Sequence, residues 1–457
     1  MRTNKILIIS IVALICTGCG IYGNYSRDAR IEQNATNLYR TETTNQADAQ
    51  DVASYKEMFT DTCLLRLIDK ALVQNTQLRI AHNRVQQAEA ALKASKLAFL
   101  PSFAFAPNGG LSNFDWGKTG WSWNASLQAT WQIDVFGGLR NAKRQRKAAL
   151  EGSKAYEKAV RTEVISMTAK LYYTILMLDK QVQIAKQTTD SWKKNIETMK
   201  FMMEGGMTND AAVSQTEADA YKVEAMMHEF ESELFQAENA LCSFIGTIPA
   251  SIVRGNIDNQ SVPKILRVGV PVELLSRRPD VILAEKTLTQ SFYATQEARS
   301  AMYPKLVLQG AGGWTNIVGD VVVNPGKLLL TAAASLFQPI FQNGQLRANL
   351  KIAKKEQENA SLQFAQKVLD AGCEVNNAMD KCQMSKNNAL LYKKQVEALT
   401  RAVENTKLLM ENGSATYIEV LYAEQALLSA KIKETANQFD TLAGMIAVYA
   451  ALGGDKE

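Results

Sequence analysis

The chain repeats itself. Residues 78–110 and 281–313 superimpose at a constant offset of 203, with Ala81 on Ala284, Val85 on Leu288, Ala98 on Ala301 and Pro101 on Pro304. Further on, Phe136 matches Phe341 and Leu139-Arg140 matches Leu346-Arg347. At an offset of 207, "EGGMTNDAAV" (204–213) matches "ENGSATYIEV" (411–420), and "LCSFIG" (241–246) matches "VYAALG" (448–453). An internal repeat decides architecture before local propensity does. One body built from two copies of about 200 residues is therefore expected, rather than independent domains.

Proline punctuates the copies. None occurs between Pro107 and Pro249, and none after Pro339; helix interiors exclude proline. In these windows apolar residues recur at steps of three and four. Val160, Val164, Met167, Leu171, Ile175, Leu178 and Val182 are followed by Trp192, Ile196, Met199 and Met203; the second window has Val396, Leu399, Val403 and Met410. This is coiled-coil spacing. A helix from about 141 to 204 would be roughly 95 Å long, and its partner from 345 to 411 similar. Both stop at glycine-bearing turns, Gly205-Gly206 and Gly413, beyond which a second helical run heads back.

Between the helices lie short alternating segments. From Trp121 to Ile133 every odd position is apolar and every even position is polar, from Ser122 to Gln132. That period of two predicts a strand with one apolar and one wet face. A soluble sandwich strand has this pattern, and so does a strand of a membrane barrel. Trp116, Trp121, Trp123, Trp131 and Trp314 sit in or beside these segments, several at strand ends where aromatic girdles belong, which favours lipid. Weaker strands are marked by Phe103 and Phe105, by Leu306 and Leu308, and by "LLLTAAASLFQ" (328–338). Four strands cannot close a barrel, and open sheet edges are excluded from hydrocarbon, so a membrane sheet of this kind demands oligomerisation.

Arg2 and Lys5 precede an apolar run from Ile6 to Ile15 and then "CTGC". This has the form of a secretory signal, too short to span a bilayer. Cleavage before Cys19 resembles that at the bacterial lipoprotein box, whose cysteine is acylated; ordinary cleavage with Cys19 unmodified is the alternative. Cys373 and Cys382 are nine residues apart on a helical stretch, about 13 Å of rise and beyond disulfide reach. With Cys63 and Cys242, they are expected as free buried thiols. His82 and His228 are the only histidines, which argues against a histidine-based metal centre. A net charge of +5 without a basic, aromatic-interleaved block argues against nucleic acid. No phosphate-cradling loop or Ser/His/Asp pattern is found, so no catalytic residue or cofactor is expected.

Three longer stretches carry a family resemblance. "WQIDVFGGLR" (131–140) resembles the strand-to-helix passage of the outer membrane efflux protein family, the TolC-like and NodT-type lipoprotein channels. "GVPVELLSRRPDVILAE" (269–285) resembles its inter-repeat signature, and "MENGSATYIEVLYAEQALLSA" (410–430) its second periplasmic hairpin. The resemblance runs from about residue 19 to 455. It implies a mainly α chain with a membrane β-barrel part. That is a duplicated long-helix coiled-coil α-barrel plus four strands per chain, three chains forming a 12-stranded outer-membrane barrel. The organisation expected is a signal peptide over 1–18, a lipid-anchored, weakly ordered strap over 19–62 and a first repeat over 63–260. A linker over 261–278 and a second repeat over 279–457 follow. Strands are expected at about 102–112, 121–133, 305–315 and 328–338. Residues 63–99 and 209–246 would pair end to end.

By the same resemblance the chain is an outer-membrane exit duct of a tripartite pump, passing small molecules such as drugs or toxic compounds. Its partners would be two further copies, outer membrane lipids, a periplasmic adaptor and an inner-membrane RND-type pump. A duct for type I protein secretion and a structural coiled-coil periplasmic lipoprotein are the alternatives. The resemblance makes Glu419, Tyr422 and Asp210 candidates for the pore constriction, against a solvated helix face. It makes Gly205, Gly206, Met207, Thr208, Gly413, Ser414 and Ala415 the adaptor-docking tips, Cys19 the lipidation site, and Trp121, Trp123, Trp131 and Trp314 the girdle. Met199, Met202, Met203, Met207 and Met410 gather near the turns; they suit coiled-coil gap filling better than a soft-metal path. Arg277-Arg278-Pro279-Asp280 reads as a helix start.

Overall fold

The computed structural model describes residues 23–27, 54–112, 120–260, 277–318 and 321–454. The signal segment, Cys19, Trp116 and most of the strap and linker lie outside them. The elements are α1 (Tyr55–Met58), α2 (Thr62–Gln74), α3 (Thr76–Leu97), β1 (Ser102–Ser112), β2 (Gly120–Ile133), α4 (Gly138–Glu204) and α5 (Asp210–Ile245). Then come α6 (Pro279–Ser300), β3 (Lys305–Val318), β4 (Val321–Phe337), α7 (Gln345–Glu411) and α8 (Tyr417–Ala451). Each long helix, α4 and α7, has 67 residues, about 100 Å of rise. The chain divides into two compact units. One holds 83–155 and 282–367 with the N-terminal residues to 31; the other holds 32–82, 156–281 and 368–457.

The first unit contains one antiparallel sheet in the order β1-β2-β3-β4. Register decides its faces. Phe105 pairs with Leu127, Trp131 with Leu308, and Trp314 with Leu328, so the odd positions of β2 share a face with the apolar positions of the other strands. On that face Phe103, Phe105 and Leu111 of β1, Trp121, Leu127 and Trp131 of β2, Trp314 of β3, and Leu328, Leu330 and Leu336 of β4 are all exposed; Leu111 reaches 76%. The opposite face carries Ser122, Asn124, Ser126 and Gln128, and Ser126 is buried. Leaving ten large apolar side chains in water forgoes on the order of 15–30 kcal/mol, more than the roughly 5–15 kcal/mol that holds a typical domain together. Among the described residues no second sheet covers this face, and β1 and β4 each pair on one side only. The sandwich alternative therefore fails. At the N-terminus, where the strap was expected to be weakly ordered, residues 23–27 are docked. Arg27 makes two hydrogen bonds to Glu285 at 2.9 and 2.8 Å, and the Tyr25 ring meets Phe292 edge-on.

In the second unit the two repeats share one joint. Within the segment 63–99, expected to pair end to end with 209–246, the chain breaks at Asn75 into two helices. The side chain of Asn75 is buried; its Oδ1 accepts from the Leu78 N–H at 3.0 Å and its Nδ2 donates to the Phe244 carbonyl at 2.6 Å. Asn75 thus caps the start of α3 and the end of α5 together. In the second copy Arg278 stands at the place of Asn75, 4% exposed. Its guanidinium donates to the Ala451 carbonyl at 2.9 Å, which is the counterpart of Phe244. It also holds Asp280 and Glu374. The segment from Arg277 is a helix start as read, but the buried arginine serves α8 as much as α6.

Glycine makes the joints close. Gly246 and Gly453 occupy equivalent places with φ of 89° and 91°. A Cβ on Gly246 would lie 3.0 Å from the Gln74 carbonyl oxygen, and one on Gly453 3.1 Å from Cδ of Pro279. Around the first joint Ala71, Ala81, Val164, Ile175, Leu241 and Ile245 form a buried cluster. The four described cysteines are free, and Cys242 and Cys382 are buried as expected. Cys373 is exposed, because it lies on the outward side of α7, away from the stripe of Val368, Ala371 and Val375.

Each of Gly246→Ala and Gly453→Ala should destabilise by about 1–3 kcal/mol through left-handed strain and crowding. Thermal scans of the purified protein followed by circular dichroism would read this as lower apparent melting temperatures. Unchanged melting for both would mean that the helix ends do not meet as described.

Candidate functional site

The two helical turns are built identically. At the end of α4, Met207 N–H donates to the Met202 carbonyl at 2.9 Å and Gly206 N–H to Met203 at 3.0 Å. At the end of α7, Ser414 N–H donates to Leu409 at 2.8 Å and Gly413 N–H to Met410 at 2.9 Å. Both are Schellman caps, in which one left-handed residue satisfies the last carbonyls. Gly206 and Gly413 each have φ of 72°, and a Cβ at either would meet nothing within 4 Å. Glycine is needed there for its backbone alone.

Beyond the turns the copies differ. Asn209 Oδ1 accepts from the Ala212 N–H at 3.0 Å, and Asp210 occupies the first turn of α5, where the helix dipole favours a carboxylate. Thr416, at the place of Asn209, makes no side-chain cap. Around the turns Gly205, Met207 and Ser414 are exposed, Thr208 and Ala415 half-buried. Phe201 and Leu408, one turn earlier at equivalent positions, are also exposed. The sequence reading missed this pair. Its only signal was an apolar residue off the coiled-coil stripe in both copies.

Glu419 and Tyr422 lie three residues apart on α8, hence on one face, with Tyr422 69% exposed. Val420, Leu421 and Leu428 point the other way and are buried. Ala426 and Ser429 continue the exposed stripe, which is small and wet. Asp210 is exposed on the other hairpin, at the counterpart of Tyr417 and not of Glu419. The buried side of α8 joins a cluster of Trp192 and Ile184 from α4, Ala220 and Val223 from α5, and Leu421 and Leu428. One hairpin is thereby packed on the other.

A repeated ion pair clips each hairpin. Lys200 and Glu217 approach to 2.7 Å, and their counterparts Lys407 and Glu424 to 2.6 Å. Glu424 is buried and also accepts from Asn195 Nδ2 of the other hairpin at 3.0 Å. Hydrogen bonding to Glu217, aided by its charge, holds the Lys200 ammonium above its ordinary value. The methionines do not form one exposed array. Met199 is fully buried, Met202, Met203 and Met410 are half-buried, and Met207 alone is exposed. Trp121, Trp123 and Trp314 stand toward the end of the sheet away from the helices. Trp131 stands toward the helix end, its Nε1 donating to the Phe99 carbonyl at 2.9 Å.

The family described as outer membrane efflux protein matches residues 67–247 and 270–454, one copy in each range. The chain belongs to that family. The family consists of efflux channels and is not a class of enzymes, and it places the protein in the outer membrane. Among curated members, the cation efflux system protein CusC of Escherichia coli strain K12 is 26% identical over 449 residues, covering 97% of this chain and 98% of that protein. The probable outer membrane lipoprotein SilC of Salmonella typhimurium is 23% identical over 457 residues, covering 98% of each. A crystal structure of CusC superimposes with a TM-score of 0.84 at 24% identity, over 95% of this chain and 100% of that one. The duplicated long-helix fold with four strands is that of these channels.

Glu424→Ala should cost about 2 kcal/mol, since it strands Asn195 and the Lys407 ammonium beside a buried surface. Its half-buried counterpart Glu217→Ala should cost clearly less. Equal melting shifts for the two variants would contradict the burial difference between the clips.

Proposed function

We propose that three copies of this chain close a twelve-stranded barrel in the outer membrane, joined to a helical duct, and form the exit channel of a tripartite efflux pump. The observation that carries this is the sheet. It has one wholly apolar exposed face, one small polar face, and two open edges. A membrane barrel completed by further copies answers all three features. Exposed leucines on α7, among them Leu362, Leu390 and Leu391, suit packing against a neighbouring copy. The cargo is small molecules such as drugs or toxic compounds, and their selection belongs to the pump.

In this reading the turns at Gly205–Thr208 and Gly413–Ala415 dock a periplasmic adaptor, which connects to an inner-membrane RND-type pump. Their accessible glycines, exposed Met207 and neighbouring Phe201 and Leu408 offer a small apolar surface. Glu419 and Tyr422 line the constriction, where one carboxylate per chain forms a ring that attracts cations. Asp210 adds a second, more distant acidic position. Trp121, Trp123, Trp131 and Trp314 form the interfacial girdle, and Cys19 carries acyl chains, a reading supported by the similarity to SilC, a probable outer membrane lipoprotein.

Single-channel recording of the full-length protein in planar bilayers tests the channel. A cation-preferring conductance is expected, and Glu419→Gln should weaken the cation preference several-fold. Unaltered selectivity would remove Glu419 from the constriction, and failure to insert would reject the barrel. Separately, Gly206→Trp and Gly413→Trp should abolish efflux-dependent resistance while the trimer band on native gels persists. Full resistance in both would mean that the turns do not dock the adaptor.

A further inference from the structure

Three cations recur on one helical face in both halves. Arg140, Arg144 and Lys147 of α4 stand at i, i+4 and i+7, and Arg347, Lys351 and Lys354 of α7 take the same places in the second copy. No acidic residue occurs from 138 to 150 or from 345 to 355. The arrangement works against the helices themselves. Like charges at i, i+4 repel, and cations near a helix start oppose its positive pole.

Partners among the described residues do not account for it. Arg144 lies over the Tyr293 ring at 5.7 Å, and Lys147 comes no nearer than 3.8 Å to Glu151. Arg140, Arg347, Lys351 and Lys354 are exposed and make no ion pair among the described residues.

Topology brings the two triplets to one edge of the sheet. β2 and β4 both run antiparallel to β3 and so end at the same edge, from which α4 and α7 set out after short turns. Trp131 on the apolar face and Ile340 and Phe341 just beyond β4 are exposed at this edge, Ile340 almost wholly. Passing from strand to helix, the surface changes from apolar to aromatic to cationic. A bilayer changes in the same order, from hydrocarbon through interface to phosphate. The step from i to i+7 covers about 10 Å of helix, comparable with the depth of a headgroup layer.

We propose that these two triplets form a basic belt that binds the phosphates of anionic phospholipids in the leaflet facing the helices, setting the depth of each chain in the membrane. This rests on the membrane reading of the sheet. The test is electron spin resonance of spin-labelled phosphatidylglycerol and phosphatidylcholine in vesicles containing the full-length protein. At low salt the immobilised fraction should favour phosphatidylglycerol several-fold, and the preference should fall towards unity at 0.5 M salt, where screening is within about 4 Å. R140Q/R347Q/K351Q/K354Q should abolish the preference at low salt. R140K/R347K should retain it, as should K186Q/K194Q/K394Q/R401Q, which removes four cations elsewhere on the long helices. Equal affinity for the two lipids in the unmodified protein, retention in the first variant, or equal loss in the last would overturn the belt. Insertion without lipid preference defeats this proposal alone, whereas failure to enter vesicles defeats the membrane reading as well.

Discussion

Backbone hydrogen bonding in a sheet with apolar side chains outward is the constraint on which the rest depends. In water, the exposed face from Phe103 to Leu336 would cost more than an ordinary domain's whole stability. In hydrocarbon that face is satisfied, but the free N–H and C=O groups along β1 and β4 would then each cost several kcal/mol. Neither solvent suits one copy. Only additional strands alongside β1 and β4, within lipid, satisfy side chains and backbone together. Membership of the outer membrane efflux protein family is consistent with this physical requirement, because the requirement is legible in the register itself.

Duplication supplies the same solution twice and then allows it to diverge. At both joints a buried polar side chain reaches the last turn of the returning helix and caps the equivalent carbonyl. In the first copy that is a short amide, Asn75, which also caps its own helix. In the second it is Arg278, whose longer side chain reaches Glu374 and Asp280 as well. The arginine is buried but its two carboxylate partners are partly solvated, so the charge is paired without complete desolvation of the pair. The same relation holds at the clips, where both partners of Lys200–Glu217 keep contact with solvent, while in Lys407–Glu424 the carboxylate is buried and also accepts from Asn195. Equivalent backbone positions thus carry different energetic weight in the two halves.

The large features were legible because each rests on a local rule. Proline-free windows with steps of three and four marked α4 and α7, and their ends followed from Gly206 and Gly413. Strict alternation from Trp121 to Ile133 marked β2 and the face it would expose. The features that were not legible depend on distant partners. Asn75 sits inside the segment expected over 63–99, and its second partner, the Phe244 carbonyl, is far away in sequence. Nothing around Arg278 in sequence announces Ala451 and Glu374. Cys373 was expected to be a buried free thiol, yet the helix face on which it falls leaves it exposed. Glu419 and Tyr422 were named by the family resemblance, and the helix sets them on one exposed face; the exposed pair Phe201 and Leu408 left only the weak signal of an off-stripe apolar residue in both copies.

The left-handed glycines show how one backbone conformation can be retained for different reasons. Gly206, Gly246, Gly413 and Gly453 have φ values between 72° and 91°, and each ends a helix. At the joints, a methyl group would press on Gln74 or Pro279, so both conformation and space demand glycine. At the turns the space is empty, and conformation alone demands it. Neighbouring side chains at the turns are consequently free of packing constraint. The two copies use that freedom, with Met207 against Ser414 and Phe201 against Leu408, while the joints keep their close approach. A surface whose shape is set by backbone and whose side chains are unconstrained by the interior can be matched to a partner without disturbing the fold that presents it.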